Sequence, residues 1–325
     1  MKLDVTQKIG VEGRYRVSVI RDGKVVEDTG WFKNLITNQG LDWFATAPPG
    51  SDYTPGGQQI INTHCGVGTG STAPAVTDTY LTAPLAMFPA DTGSYLLAPT
   101  TTAYVSGTPS YWSYVWTYNF AVGAVVGNIA EVGVGNTVHT DASPQLFSHA
   151  LIIVGGSPGT ISVLATDALV VNYELRLIID TTASTAYSMT VSGVTYTGNF
   201  ARIAITTIPF AYNTLTWDVN GINYAFSVIG YQDATLAALT ATDMGSTNSG
   251  IFTGNATSSV YAAGSYTLTL SRTAALADIN FANYLSGLMI QTHMGNWQFT
   301  ISPVIPKTST YTLTLGWTLT WARYP

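Results

Sequence analysis

The chain has 325 residues, 46% of them hydrophobic, 12% aromatic and only 9% charged, against roughly 25% charged in an average soluble domain. The aromatic content excludes a disordered chain, and apolar runs such as Ala150 to Val154 fall far short of the roughly 18 residues a spanning helix needs. The net charge of −6 is uneven: residues 1–33 carry seven bases against five acids and the remainder five against thirteen, too few cations over the main body to bind a phosphate backbone.

In place of charge, the chain offers hydroxyls and amides, with 48 threonines. Threonine is β-branched, so this composition favours strands. The first element in chain order is a hairpin, Gly13 to Arg21 and Lys24 to Phe32, reversed at Asp22-Gly23, a pair that supplies the positive φ angles of a tight turn. Next comes a short helix that Thr37 caps, with Leu41, Phe44 and Ala45 on one face and Pro48-Pro49 behind it. From Trp112 to Phe120 the even positions are all aromatic while Ser113, Thr117 and Asn119 alternate with them, the period of a strand. A strand from Ser148 to Val154 leads into Gly155-Gly156-Ser157-Pro158-Gly159. Leu169 to Ile179 alternates again, with Asn172, Glu174 and Arg176 opposite an apolar face. A second short helix is expected near Leu276 to Leu285, and Thr310 to Arg323 closes the chain as a strand with Leu313, Leu315, Trp317, Leu319 and Trp321 on one side.

These elements predict an all-β protein built from antiparallel sandwich- or barrel-like domains with one or two short helices. Three parts are expected: a basic N-terminal hairpin at 1–33 that could serve for attachment, a main β domain at 34–180, and a second β region at 181–325 whose final strand could return to an earlier sheet. Asp180 to Ser188, small and polar, suits the crossing point.

Chemistry is sparse. His64, His139, His149 and His293 show no metal-ligand spacing, so no metal or cofactor is expected. Cys65 is the one cysteine, which excludes an internal disulfide; with no apolar stretch in MKLDVTQ, synthesis in a reducing cytoplasm is expected. His64 and Cys65, adjacent on a strand, point to opposite faces and cannot share a proton. Gly155 to Gly159 matches the serine elbow of hydrolases in form, but a strand follows instead of a helix, which makes it a hairpin turn. Gly66-Val67-Gly68-Thr69-Gly70-Ser71 lacks the Gly-Lys-Ser/Thr and the helix of a phosphate loop. Four glutamates leave little for a glycoside hydrolase, and no catalytic residue is assigned.

Two candidate surfaces remain. Arg14, Arg16, Arg21 and Lys24 on the hairpin, set against an acidic remainder, could dock a partner electrostatically. Trp112, Tyr114, Trp116 and Tyr118 form either the core stripe of a sandwich or, if open, a platform for stacking sugars or docking subunits.

Several segments, in this order, carry a resemblance: Trp31-Phe32-Lys33-Asn34-Leu35-Ile36-Thr37-Asn38-Gln39-Gly40-Leu41-Asp42, Cys65-Gly66-Val67-Gly68-Thr69-Gly70-Ser71-Thr72-Ala73-Pro74, Glu131-Val132-Gly133-Val134-Gly135, Leu146-Phe147-Ser148-His149-Ala150-Leu151, Asp167 to Arg176, and Ile305-Pro306-Lys307-Thr308 with Trp321-Ala322-Arg323-Tyr324. The chain resembles tailed-bacteriophage virion proteins associated with the tail, the collar and tail fibres, most densely from 31 to 180. Where the resembling proteins carry an arginine after Phe147-Ser148, this chain has His149. The resemblance implies a structural component of the virion, made in the host cytoplasm and not an enzyme, that forms a symmetric homo-oligomer and docks other virion proteins. The alternative is a receptor-binding module for a host cell-surface glycan. Because interface centres are poor in Lys, Glu and Asp, the low charge itself predicts that much exposed surface is covered in an assembly.

Overall fold

The computed structural model describes residues 6–45, 58–60, 64–88, 100–137, 145–179, 184–191, 193–203, 216–218, 226–246, 248–255, 257–276, 284–292, 295–310 and 312–325. Among its described residues the regular structure is almost all strand, with one helix, Asn38–Asp42. The expected second helix lies largely outside the described residues, and Leu285 opens a strand instead.

Among the described residues three large sheets make up the architecture, with three two-stranded ribbons beside them. A nine-stranded sheet runs in the order Thr257–Ser258, Thr267–Ala274, Leu313–Arg323, Thr6–Arg21, Asp167–Ile179, Ser110–Phe120 and Thr101–Val105, and Lys24–Asp28 and Phe32–Lys33 also pair with Thr6–Arg21. A five-stranded sheet orders Leu35–Ile36, Gln145–Leu151, Glu131–Thr137, His64–Gly68 and Pro84–Phe88. A six-stranded sheet draws entirely on residues 185–305.

The alternation in the sequence sets the layers. Tyr15, Tyr173 and Trp116 stand side by side across three neighbouring strands, with ring centroids 5.0 Å apart for Tyr15–Tyr173 and 5.9 Å for Trp116–Tyr173. Above them lie rings of the five-stranded sheet: Phe147 meets Tyr173, and Phe88 meets Tyr118 and Phe120. The apolar face of each sheet thus covers the other, the arrangement of a β-sandwich. Side chains of the six-stranded sheet, among them Leu288, Ile290 and Phe299, join the same continuous core. Burying an aromatic side chain of this kind contributes about 1.5–3 kcal/mol.

The Asp22-Gly23 turn forms as expected, with φ of 50° and 74°. The segment before it corrects the expectation of a separable hairpin at 1–33. Thr6–Arg21 is an interior strand of the largest sheet, antiparallel to Asp167–Ile179 over twelve residue pairs and parallel to Leu313–Arg323. Ile9, Val11, Tyr15, Val17 and Val19 are all buried. Strands from beyond residue 180 complete the same sheet: Thr267–Ala274 joins it, and the final strand, Leu313–Arg323, returns to it beside Thr6–Arg21.

Thr37 positions the helix against the five-stranded sheet. Its Oγ1 accepts the Gly40 amide at 2.9 Å and donates to the Leu146 carbonyl at 2.5 Å, so one hydroxyl caps the helix and ties it to the Gln145–Leu151 strand. Gly40 rests on that strand so closely that a Cβ there would lie 2.2 Å from the Phe147 carbonyl oxygen.

Candidate functional site

Three of the segments that carry the resemblance, Cys65 to Pro74, Glu131 to Gly135 and Leu146 to Leu151, meet in the five-stranded sheet, and Leu35–Ile36 from a fourth is its edge. Asp167 to Arg176 and Trp321 to Arg323 lie in the nine-stranded sheet. Antiparallel pairing sets Gly133 opposite both Gly66 and His149, and Glu131 opposite Gly68 and Leu151. With side chains alternating between faces, Gly66, Gly68, Gly133, Glu131 and His149 share the face that points away from the large sheet, while Val67, Val132 and Val134 fill the core. The glycines clear a lane, and the chain from Thr69 to Ala83 lies over it as a strap. A Cβ at Gly68 or Gly70 would come within 2.5 Å of Glu131 Oε1, and one at Gly133 within 2.6 Å of Leu146 and 3.0 Å of Leu81.

Glu131 is fully buried and fastens the base of the strap. Its Oε1 accepts the amides of Gly70 at 3.1 Å and Ala83 at 2.6 Å, and its Oε2 accepts that of Thr82 at 2.9 Å. His149, also buried, places Nε2 3.0 Å from Glu131 Oε2 and Nδ1 2.7 Å from Asp78 Oδ2. Burial alone would lower the His149 pKa, but hydrogen bonds and charge from Glu131 and Asp78 outweigh it and raise the pKa above its ordinary value. Burial pushes the Glu131 pKa up, and hydrogen bonds from His149, Ala83 and Thr82 bring it below the ordinary value.

This geometry restricts the chemistry. As an imidazolium, His149 donates from both ring nitrogens to carboxylates and has no lone pair with which to take a proton from a substrate. The neighbouring Ser148 lies on the opposite face of its strand, where its hydroxyl sits 2.6 Å from that of Tyr15 deep in the core. The glycine-rich loop does bind an anion at Gly70, but that anion is the Glu131 carboxylate of its own chain.

The other candidates fall elsewhere. Trp112, Tyr114, Trp116 and Tyr118 are at most 3% exposed; of the two alternatives they form the core stripe and not an open platform, part of the continuous core in which Phe88 of the five-stranded sheet meets Tyr118. Arg14, Arg16 and Arg21 hold carboxylates of their own chain, namely Glu12 at 2.9 Å, Asp28 at 3.0 Å and Asp167 at 2.7 Å. Lys24 is exposed at the hairpin tip. The basic cluster is therefore not a field of open positive charge, since each arginine is neutralised where it stands.

His64 and Cys65 are both buried, and burial raises the Cys65 thiol pKa well above its ordinary value. Gly155 and Gly156, with φ of 60° and 87°, turn a hairpin between Ile153–Val154 and Ser157–Pro158. His139 and His293 lie outside the described residues. Among the described residues no group of His, Cys, Asp and Glu could hold a metal ion, and no helix is long and apolar enough to cross a membrane.

Sequence reasoning missed the Glu131–His149–Asp78 cluster. The available signal was a glycine at every second position in both His64–Gly68 and Glu131–Thr137, which marks a sheet face onto which something packs closely. Comparison with protein-family models, with curated proteins and with solved structures gave no match.

Proposed function

We propose that the protein is a structural component of a tailed-bacteriophage virion, of the tail, collar or fibre base, that assembles as a symmetric homo-oligomer and docks neighbouring virion proteins. The observation that carries this reading is that three of the phage-like segments, Cys65 to Pro74, Glu131 to Gly135 and Leu146 to Leu151, meet at one internal lock. Glu131, His149 and Asp78 are spent on holding a strap to a sheet, which suits a rigid building block better than an enzyme.

A docking surface is needed, and the arginine cluster does not supply open charge. One end of the nine-stranded sheet has the better chemistry. There the Asp22-Gly23 turn and residues 121–126 and 164–166 lie near one another, through the Arg21–Asp167 pair and the Gly123 amide bonded to the Asp167 carbonyl. Val122, Val126 and Leu164 on these segments, and Val25 on the strand that follows the turn, are 49% to 65% exposed. Apolar side chains gathered at one end favour contact with another protein.

The test is genetic and physical. A nonsense mutation in the gene should yield particles that lack this protein and have a defective tail under the electron microscope. The purified protein should sediment as an oligomer of fixed size. Intact particles from the mutant, together with a strictly monomeric product, would overturn the proposal.

A further inference from the structure

We propose that His149 is a pH-operated latch: as an imidazolium it bridges Glu131 and Asp78 and closes the strap, and on losing a proton it lets the Asp78 limb lift while the Glu131 limb stays in place.

The strap has two limbs held by different means. Its base is fixed independently of His149, by the three amides on Glu131 and by the Thr69 amide donating to the Ala83 carbonyl at 2.9 Å. Leu81, fully buried, is wedged against the Gly133 lane. The outer limb is a small turn, in which the Ala75 amide donates to Asp78 Oδ2 at 2.8 Å and the Asp78 amide to the Ala75 carbonyl at 3.0 Å. Among the described residues, two hydrogen bonds tie this turn to the body: His149 to Asp78, and the Asn38 amide to the Val76 carbonyl at 2.7 Å.

An imidazolium donates from both nitrogens, one to each carboxylate. A neutral ring must turn a lone pair toward one carboxylate oxygen across 2.7 or 3.0 Å, which is repulsive. Glu131 cannot yield, because it is buried and its oxygens are held by backbone amides. Asp78 can, since its side chain is 25% exposed and water can replace the ring.

The ionisable groups facing His149 are Asp78 from the strap and Glu131 from the adjacent strand. His64 stands opposite Gly135, further along the same face, and Cys65 points to the other. The His149 pKa is raised in the folded protein, so the latch is closed at and below the ordinary histidine range and opens as pH rises through the raised value. Beyond that point the opening equilibrium should grow about tenfold per pH unit, as one linked proton requires.

Hydrogen exchange of the full-length protein, read on peptides covering 70–80 and 81–88 from pH 6 to 10 and corrected for intrinsic base catalysis, tests this. Protection in 71–79 should be lost with a midpoint that matches the His149 titration seen by histidine ¹⁵N NMR, and that midpoint should lie above 6.5. Protection at Thr82 and Ala83 should persist. His149→Arg, a permanent cation, should keep the outer limb closed to pH 10. Asp78→Ala, which removes the partner of His149 Nδ1, should leave it open at pH 7 with the base still protected, which keeps the test available if the arginine variant does not fold. A His149 midpoint below its ordinary value of 6.5, release of both limbs together, or wild-type protection in Asp78→Ala would overturn the latch.

Discussion

Replacing Glu131 with alanine removes the acceptor for four donors at a position with no solvent exposure. Three are the amides of Gly70, Thr82 and Ala83, and the fourth is His149 Nε2. Breaking a buried ion pair by deleting one partner costs about 3–5 kcal/mol. Each amide left without an acceptor adds about 1–3 kcal/mol unless water reaches it, so about 3 kcal/mol is the floor for the loss. Glu131→Gln keeps a carbonyl for the Gly70 and Ala83 amides but turns an NH₂ toward the Thr82 amide and His149, donor against donor, and should cost roughly 2 kcal/mol. The assay is urea unfolding followed by circular dichroism, with the midpoint lowered and the slope unchanged. Lys24→Ala, at the exposed hairpin tip, is the control and should stay within about 0.5 kcal/mol of the parent. A loss below about 1 kcal/mol for Glu131→Ala would refute the claim that this carboxylate fastens the strap.

Deleting residues 1–21 should abolish folding, because it removes an interior strand paired on both sides; a soluble, cooperatively unfolding product would contradict the topology. The Asp167 carboxyl, held down to about 2 chiefly by Arg21 and next by the Leu164 amide, contributes stability that is present above its ordinary pKa and is lost as pH falls toward 2. Arg21→Met should move its NMR titration midpoint upward and flatten the fall in stability between pH 4 and 2, and an unmoved midpoint would count against the pair. Cys65, buried with a raised thiol pKa, should not react with a disulfide reagent until urea unfolds the chain; rapid reaction in the native state would show that the sheet opens there.

What was legible in the sequence was local. The aromatic alternation from Trp112 to Phe120, the Asp22-Gly23 reversal and the Thr37 cap each rest on residues a few positions apart, and each appears where the pattern places it. What was not legible depends on partners far away in the chain. Thr6–Arg21 reads as half of a hairpin because its nearest partner is Lys24–Asp28; nothing local shows that Asp167–Ile179 and the terminal strand flank it. The arginine cluster misleads for the same reason. The charge of a segment says little about surface potential when Arg21 is matched by Asp167, 146 positions away. His149 lies 18 positions from Glu131 and 71 from Asp78, so no spacing rule could join them. The alternating glycines recorded only that room was left on that face of the sheet.

The central proposal, motivated by the 9% charge content and the exposed apolar end of the large sheet, is that this chain works as a packed part of a larger particle. The direct measurement is the copy number of the protein in gradient-purified phage particles, by quantitative mass spectrometry against the major capsid and tail proteins. A fixed small-integer stoichiometry, retained through repeated banding, is the predicted result. Absence from the banded particles, with the protein recovered only in the soluble lysate, would contradict it.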